Sequence, residues 1–433
     1  MQKNILKDAK KIHFIGIGGI GISAIAKMLL IEGKTVSGSD MSDSKVIKEL
    51  RDNGANIVIG HSDKNISDDI DLVIYTIAIN ETNPELKEVR NRKIECLTYP
   101  QTLHELSKDK FTIAVSGTHG KTTTTAMIAK IMIEAELDPT VIVGSLLKNA
   151  ESNTNFIAGK SKYLVVESCE YRKSFLNIEP TIAVVTNIDN DHLDFYKDIN
   201  DIQNAFGEFL SKVPKNGYVV CDPKNKTVKP VLDKITGKIV DSKDFFDKEL
   251  KLKVPGEHNK SNASMAFAVA HLLGIDKKKA EKSLETFSGT WRRYEYKGET
   301  KNGVIVYDDY GHHPTEIKAT LKGTREMFPD KKITVVFQPH LYSRTKILLN
   351  DFAVAFKDAD KVLLAPIYAA REAFDPSISS EILAENIEGG KTTSFSDFEQ
   401  IEKYLRENLE KGEILMTVGA GDIFKIGEKI LNE

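Results

Sequence analysis

A glycine-rich turn that carries a lysine and several threonines is the segment of this sequence with the clearest chemistry. The turn reads GTHGKTT, residues 117–123, and lies between an apolar β-branched run and a long helical run. In such a turn the backbone N–H groups wrap phosphates, Lys121 reaches the β and γ oxygens, and the Thr122 hydroxyl binds Mg²⁺. Val115 replaces the usual first glycine of this pattern, and Gly117 supplies flexibility instead. The segment predicts a nucleoside triphosphate site; the alternative is a plain strand-to-helix turn with an exposed lysine.

Acidic and imidazole side chains that could share the metal of this turn follow two apolar runs. KYLVVES ends in Glu167, and TIAVVTNI leads into DNDHLD, which contains His192. Because open parallel sheets place ligands beyond the carboxyl ends of their strands, we expect Glu167 and His192 near the phosphates. Two alternatives stay open: Glu170 as a solvated loop charge, and Asp191 with Asp194 as caps of the next helix.

A second glycine turn lies near the start of the chain, in HFIGIGGIGIS. Gly16, Gly18 and Gly21 fit the G-x-G-x-x-G pattern between a strand and a helix, and Asp40 follows at the distance typical of dinucleotide-binding folds. The pattern specifies a turn and a helix N-terminus that attract a pyrophosphate, whichever molecule carries it. Asp40 would contact a ribose or base edge, or cap the helix after GSDMSDS.

Short apolar runs alternate with helical stretches along the whole chain, the pattern of parallel sheets flanked by helices. One series covers residues 11–99, a second begins at residue 111, and a third follows residues 288–300, where the apolar period stops. A helix is predicted over residues 259–273. The fold class is therefore α/β, with three consecutive domains predicted at residues 1–108, 109–297 and 298–433.

The overall composition excludes several classes of protein. The 433 residues include 60 Lys and Arg against 63 Asp and Glu, so no surplus of positive charge favours nucleic acid or an anionic membrane. No run approaches the roughly 20 apolar residues of a membrane span, and the polar, lysine-rich N-terminus does not resemble a signal peptide. Three scattered cysteines predict neither a disulfide framework nor a zinc site. We expect a cytoplasmic protein.

Motifs in all three predicted domains resemble those of the Mur ligase family, ATP-dependent enzymes that join amino acids to the UDP-muramoyl precursor of peptidoglycan. They are HFIGIGGIGIS, GTHGKTTTT, TNIDNDHLD, GEHNKSN, DDYGHHPTEI, FQPHLYSRT and VGAGDI. Within the family they are similar to the branch that adds L-alanine to the lactyl carboxylate of UDP-N-acetylmuramate. The resemblance implies UDP-N-acetylmuramate, L-alanine and ATP as substrates. We also expect a monomer or weak homodimer, and the balanced charge and the lack of a long apolar run predict that it binds no nucleic acid and does not insert into membranes.

The resemblance also implies a Rossmann-like N-terminal domain for the UDP-sugar, a central P-loop ATPase-type domain, and a Rossmann-like C-terminal domain that closes on ATP and the amino acid. The implied UDP-sugar residues are Gly16, Gly18, Gly19, Ile20, Gly21, Asp40 and Thr76. The implied ATP residues are Gly117, Thr118, His119, Gly120, Lys121, Thr122, Thr123, Asn259, Asn262, Arg293 and Asp308. The implied amino-acid residues are Tyr310, His312 and Arg344.

Two Mg²⁺ ions, replaceable by Mn²⁺, are implied as cofactors. Thr122 and Glu167 would hold the first ion and His192 the second. The sequence departs from the family at two positions: Phe206 stands where several members carry a carboxylated lysine, and Leu341 where some carry an arginine. The first departure agrees with the L-alanine branch and leaves the ligands of the second ion open.

The expected reaction passes through an acyl phosphate, formed from ATP and the lactyl carboxylate and attacked by the amine of alanine. The residues expected to carry catalysis are Lys121, His192, His312 and Arg344. His312 would take the amine proton, or would serve only in hydrogen bonding or packing. Rival functions are a ligase that attaches an intact tripeptide to the same UDP-sugar, an NAD(P)-dependent oxidoreductase, and a nucleotide-dependent regulatory protein. An oxidoreductase would leave the phosphate turn without a role.

Overall fold

The computed structural model describes residues 5–148, 153–233, 235–370 and 372–432. Contacts divide the chain into two compact units. The first unit comprises Met1–Asn190, Asp198–Phe246 and Ala263–Leu284, and the second comprises Asp191–Lys197, Asp247–Asn262 and Glu285–Glu433. No helix among the described residues is long and apolar enough to cross a membrane.

The first unit begins with a five-stranded parallel sheet. Its strands are β1 (Lys11–Ile15), β2 (Thr35–Asp40), β3 (Asn56–Ile59), β4 (Leu72–Tyr75) and β5 (Cys96–Thr98), in the order β3-β2-β1-β4-β5. The accompanying helices are α1 (Ile5–Asp8), α2 (Ile20–Ile31), α3 (Lys45–Asp52), α4 (Pro84–Arg92) and α5 (Tyr99–Ser107). The order reverses at β1, so the glycine turn after β1 lies at the point where such sheets bind ligands.

A seven-stranded sheet follows in the same unit. Its strands are β6 (Phe111–Ser116), β7 (Thr140–Lys148), β8 (Asn153–Ile157), β9 (Tyr163–Glu167), β10 (Ile182–Val185), β11 (Tyr218–Cys221) and β12 (Lys238–Asp241), in the order β12-β11-β10-β6-β9-β7-β8. All neighbours are parallel except β7 and β8. The helices here are α6 (Lys121–Glu134) and α7 (Ile199–Leu210). Helix α8 (Glu257–Leu272) crosses the division between the units after Asn262, and α9 (Lys277–Glu285) ends at the division after Leu284. The adjacent strands β10, β6 and β9 are fully or mostly buried, as expected for a sheet covered on both faces.

The second unit contains a six-stranded sheet. Its strands are β13 (Glu295–Glu299), β14 (Ile305–Asp309), β15 (Ile333–Phe337), β16 (Lys361–Leu364), β17 (Thr392–Ser394) and β18 (Ile414–Val418), in the order β13-β14-β18-β15-β16-β17. Only β13 is antiparallel to its neighbour. The helices are α10 (Pro314–Met327), α11 (Tyr342–Ile347), α12 (Leu349–Ala353), α13 (Ser380–Asn386), α14 (Phe398–Asn408) and α15 (Phe424–Leu431). Separate apolar clusters cover its two faces.

The predicted α/β class is confirmed, with one mostly parallel sheet in each of the three predicted segments. The helix predicted over residues 259–273 is α8, which begins two residues earlier. Strand β13 begins at Glu295, before the predicted boundary at residue 298, because the charged stretch there forms an edge strand of the third sheet. The three-domain division itself remains our proposal.

Candidate active site

The phosphate turn of the first unit joins the buried strand β6 to helix α6. Gly120 is the N-cap of α6 in the left-handed region, and no side chain caps the helix. The first backbone N–H groups of α6 are therefore available to an anion, as the sequence predicts. Gly117 has a φ of +126°, and a Cβ atom there would lie 2.0 Å from Oγ1 of Thr186. Only glycine fits this position.

Lys121, the first residue of α6, is largely buried and paired with a carboxylate. Its Nζ lies 2.9 Å from Oε2 of Glu170 and donates to the carbonyl oxygens of Gly117 and Thr118, at 2.6 and 3.0 Å. Burial lowers the pKa of Lys121, but the Glu170 carboxylate outweighs it and holds the pKa above its usual range. Glu170 is 2% exposed, so its interpretation as a solvated loop charge is wrong. An ion pair with the turn lysine keeps it inside.

Thr122 and Glu167 come together as the sequence predicts. The Thr122 hydroxyl is 3.0 Å from both carboxylate oxygens of Glu167, because β6 and β9 are neighbours and both end at this edge of the sheet. The N–H of Gly144 on β7 donates to Glu167 at 2.8 Å. A hydroxyl beside a fixed carboxylate is the oxygen donor set that Mg²⁺ prefers, so these residues fit the expected ion.

The other turn residues are held by the segment after β10. Nε2 of His119 lies 3.0 Å from Oδ2 of Asp189, and the N–H of His119 donates to the side chain of Asn187 at 2.9 Å. The N–H of Asp189 donates to the Thr118 hydroxyl at 2.8 Å. Thr123 is buried in the first turn of α6. These contacts fix the shape of the turn.

The N-terminal glycine turn also has its predicted form. Gly19 is the N-cap of α2, and no side chain caps the helix, so the N–H groups that follow at Ile20 and Gly21 face the turn. Gly18 donates its N–H to Oδ2 of Asp40 at 2.8 Å. Helix α3 is capped by Ser44, so the alternative that Asp40 caps it is wrong. Asp40 shapes the turn itself.

Close packing explains two further glycines of this turn. Gly16 has a φ of +79°, and a Cβ atom there would lie 2.6 Å from Cγ2 of Thr76. A Cβ atom on Gly21 would lie 2.8 Å from the hydroxyl of Tyr99 at the start of α5. Both positions are therefore closed to any larger side chain.

A buried ion pair organises the candidate amino-acid residues of the second unit. Nη2 of Arg344 lies 2.7 Å from Oδ1 of Asp191, and both side chains are less than a tenth exposed. Burial alone would raise the pKa of Asp191, but the charges of His192 and Arg344 lower it by more. The pKa of this carboxyl therefore lies well below its usual range. Helix α7 is capped by Asp198, so the alternative that Asp191 or Asp194 caps it is wrong.

The predicted residues His312 and Tyr310 lie in the same group. Arg344 donates from Nη1 to Nδ1 of His340 at 2.9 Å, and the His340 ring lies 5.5 Å from that of His312. The His312 ring contacts the Tyr310 ring edge-on at 5.6 Å. Burial lowers the pKa of His312 to about 4, against the opposing effect of Glu316. His312 is therefore neutral at pH 7 and a weaker base than an ordinary histidine.

The structure does not bring Arg293 and Asp308 together. Arg293 lies over the Tyr310 ring, 4.9 Å from its centre. Asp308 is buried and accepts from Nε of Arg292 at 2.7 Å and from the hydroxyl of Thr417 at 2.6 Å. Its carboxylate is thus bonded to groups of the second unit itself. Arg292 was not predicted as the partner of Asp308, because the sequence WRRYEY does not show which of its two arginines is buried.

Asn259 and Asn262 lie one turn apart in α8 and are both buried. The Asn259 amide donates to the carbonyl of Pro255 at 2.7 Å, and Asn262 donates to Asn259 at 3.4 Å.

His192, whose backbone has a φ of +55°, donates its N–H to Asp191 at 2.7 Å. The sequence also missed Glu170 as the lysine partner, although its position three residues after Glu167 offered a signal.

Together, the phosphate turn, the uncapped helix and the hydroxyl–carboxylate pair define an α/β enzyme that uses a nucleotide. Three family models match the chain in turn: "Mur ligase family, catalytic domain" over residues 11–111, "Mur ligase middle domain" over residues 115–245, and "Mur ligase, glutamate ligase domain" over residues 292–421. The chain belongs to the Mur ligase family of ATP-dependent, amide-forming ligases, which confirms the resemblance.

Full-length relatives agree with this assignment. A UDP-N-acetylmuramate--L-alanine ligase from Clostridium acetobutylicum is 45% identical, with 98% of each chain covered. The crystal structure of a UDP-N-acetylmuramate-alanine ligase from Thermotoga maritima gives a TM-score of 0.80 at 28% identity, with 98% of each chain covered. A murein peptide ligase from Psychrobacter arcticus shares the fold at a TM-score of 0.73 and 24% identity, again over 98% of each chain.

Proposed function

We propose that this chain ligates L-alanine to the lactyl carboxylate of UDP-N-acetylmuramate, with ATP converted to ADP and phosphate, as a step in peptidoglycan precursor synthesis. The observation that carries the proposal is the phosphate turn, in which Lys121 pairs with Glu170 and the Thr122 hydroxyl contacts Glu167. It is a phosphoryl-transfer site in a chain whose full-length relative is named for this ligation.

The chemistry requires activation of a poor electrophile. Transfer of the γ-phosphoryl group to the lactyl carboxylate forms a C–O–P bond and releases ADP, and attack by the amine then forms the amide and releases phosphate. Two anions must approach each other in the first step, so neutralisation and positioning dominate catalysis. Lys121 and the N–H groups at the start of α6 supply positive charge at this point, and the turn of Gly16–Gly21 holds the diphosphate of the UDP-sugar.

Thr122 and Glu167 would hold the first Mg²⁺, for which Mn²⁺ would substitute. When bound, the ion neutralises phosphate charge and orients the transferred group. His192 would contribute to a second ion. Phe206 cannot supply a ligand there, since it is buried in the core and packs edge-on against Phe175 at 5.1 Å. The number of ions stays a prediction.

The residues of the second unit would serve the amino acid. Arg344 and Tyr310 would bind and orient alanine, and neutral His312 would take the proton that the attacking amine loses. Asn259, Asn262 and Arg293 would contact ATP. The predicted closure on ATP and the amino acid remains part of this proposal, as do cytoplasmic location and a monomeric or weakly dimeric state.

A phosphate-release assay across amino acids tests the function. With UDP-N-acetylmuramate and MgATP present, L-alanine should give phosphate and ADP in equal amounts, together with the amide product by mass spectrometry. Lys121→Ala should lose this turnover and still bind the UDP-sugar. Faster turnover with the intact tripeptide would instead identify the ligase that attaches a tripeptide to the same UDP-sugar. ATP hydrolysis that is independent of both other substrates would support the nucleotide-dependent regulatory protein. Binding of NAD(P)H in a fluorescence titration would support the oxidoreductase.

A further inference from the structure

A buried polar cluster joins helix α2, which follows the N-terminal glycine turn, to strand β8 of the seven-stranded sheet. Its centre is Asn155, which is fully buried. The Asn155 amide donates to the hydroxyl of Ser23 at 2.9 Å and to the carbonyl oxygen of Ile20. Both partners lie in the first turn of α2. One side chain of the seven-stranded sheet thus fastens the helix end that faces the proposed diphosphate.

A buried cation completes the cluster. Lys27, one turn further along α2 and 7% exposed, donates from Nζ to Oδ1 of Asn155 at 3.0 Å and pairs with Glu49 of α3 at 2.8 Å. Every polar atom of the Asn155 side chain therefore has a partner in α2. Because buried polar groups must be fully paired to be tolerated, this cluster favours a single placement of α2 against β8.

The seven-stranded sheet also connects Asn155 with Glu167, the carboxylate that is expected to bind the metal ion. Strand β8 pairs with β7, and β7 pairs with β9, whose last residue is Glu167. Gly144 of β7 donates its N–H to Glu167 at 2.8 Å. Asn155 and Gly144 both lie where the register of β7 with β8 is interrupted, between the pairs Ile142–Phe156 and Leu147–Thr154. These two strands and one hydrogen bond connect the anchor of α2 with the carboxylate beside Thr122.

We propose that Asn155 is a positioning residue for the ligation, which sets the place of the UDP-sugar diphosphate relative to the phosphoryl-transfer site. The proposal rests on the proposed function and deepens it. Asn155 is fully buried, so it would act on the diphosphate through Ile20 and Ser23. An acceptor carboxylate displaced by about 1 Å loses roughly a hundredfold in rate, because phosphoryl transfer needs the reacting atoms aligned.

Two variants of Asn155 separate alignment from folding. Asn155→Ala removes the whole anchor, whereas Asn155→Asp keeps an acceptor for Lys27 and removes only the two donations to α2. Thr154→Val is the matched control, since Thr154 lies next in β8 and is buried, and its hydroxyl bonds locally to Phe156 at 2.8 Å. Thermal unfolding identifies the variants that remain folded.

The measurements are kcat for phosphate release, and Kd for UDP-N-acetylmuramate and for MgATP by calorimetry. For both Asn155 variants we expect kcat to fall by about ten- to a hundredfold, with each Kd within about threefold of wild type. Thr154→Val should keep wild-type kcat. The proposal is overturned if the Asn155 variants retain wild-type kcat, if Thr154→Val falls equally, or if only the affinity for UDP-N-acetylmuramate changes. Failure of the proposed function would appear differently, as a wild-type protein without alanine-dependent turnover.

Discussion

Replacing Glu170 by glutamine should tighten the binding of MgATP. The carboxylate lies 2.9 Å from Nζ of Lys121 and is buried, so an arriving triphosphate must share this lysine with a fixed negative charge. Glutamine keeps the shape and one acceptor but removes the charge. Lys121 retains the carbonyl oxygens of Gly117 and Thr118 in the variant, so the turn should keep its form.

The expected change in Kd follows from the hydrogen bond between Lys121 and Glu170, which the phosphates must replace. A hydrogen bond to a charged partner contributes about 1.5–3 kcal/mol, and the competing charge adds repulsion toward the phosphates. We therefore expect the Kd for a non-hydrolysable MgATP analogue to fall by about ten- to a hundredfold in Glu170→Gln. The protein without nucleotide should be less stable than wild type, because Lys121 loses its buried counter-charge.

Calorimetric titration with the Mg²⁺ complex of the analogue measures this change. Glu134→Gln is the control, since Glu134 is at the far end of α6 and pairs with Lys130 at 2.5 Å; its Kd should equal that of wild type. An unchanged or higher Kd in Glu170→Gln would refute the reasoning. A higher value would show that Glu170 itself serves the nucleotide or its metal.

Three further substitutions test the site. Arg344→Met leaves Asp191 buried without its partner and should lower the free energy of unfolding of the second unit by about 3–5 kcal/mol in denaturant titrations, whereas an unchanged midpoint would contradict a structural role for the pair. His312 has a folded pKa of about 4 against an ordinary 6.5, so the unfolded chain binds the proton first as the pH falls. This group alone should lower the free energy of unfolding by about 2 kcal/mol between pH 7.5 and pH 5, and the loss in His312→Asn should be smaller than that of wild type by this amount. Gly117→Ala should abolish binding of the ATP analogue and lower the melting temperature, while Gly207→Ala in α7, where a Cβ meets nothing within 4 Å, should leave both intact or raise the melting temperature slightly.

The sequence predicted the site best where one strand ends in a functional residue. Lys121, Thr122 and Glu167 follow neighbouring parallel strands, and a parallel sheet brings such ends together regardless of the loops between them. The alternation of apolar runs likewise predicted the three sheets. These features depend on local patterns that repeat along the chain.

Hydrogen bonds between polar residues that are distant in the sequence could not be predicted. Asp191 pairs with Arg344 across 153 positions, and Asn155 reaches Ser23 across 132. Such contacts depend on how whole elements pack, which short-range patterns do not encode. The same reason explains why Glu170 was open to interpretation as solvated, since its burial depends on Lys121.

The tight fit around Gly117 has a consequence for inhibition. A Cβ atom at this position would overlap Oγ1 of Thr186 and lie 2.9 Å from both the backbone nitrogen of Thr186 and the carbonyl oxygen of Asn187. A change at Thr186 alone would not make room for a side chain, because the backbone obstructs it as well. A compound that gains its affinity from the main chain of this turn would therefore meet few resistance mutations at residue 117.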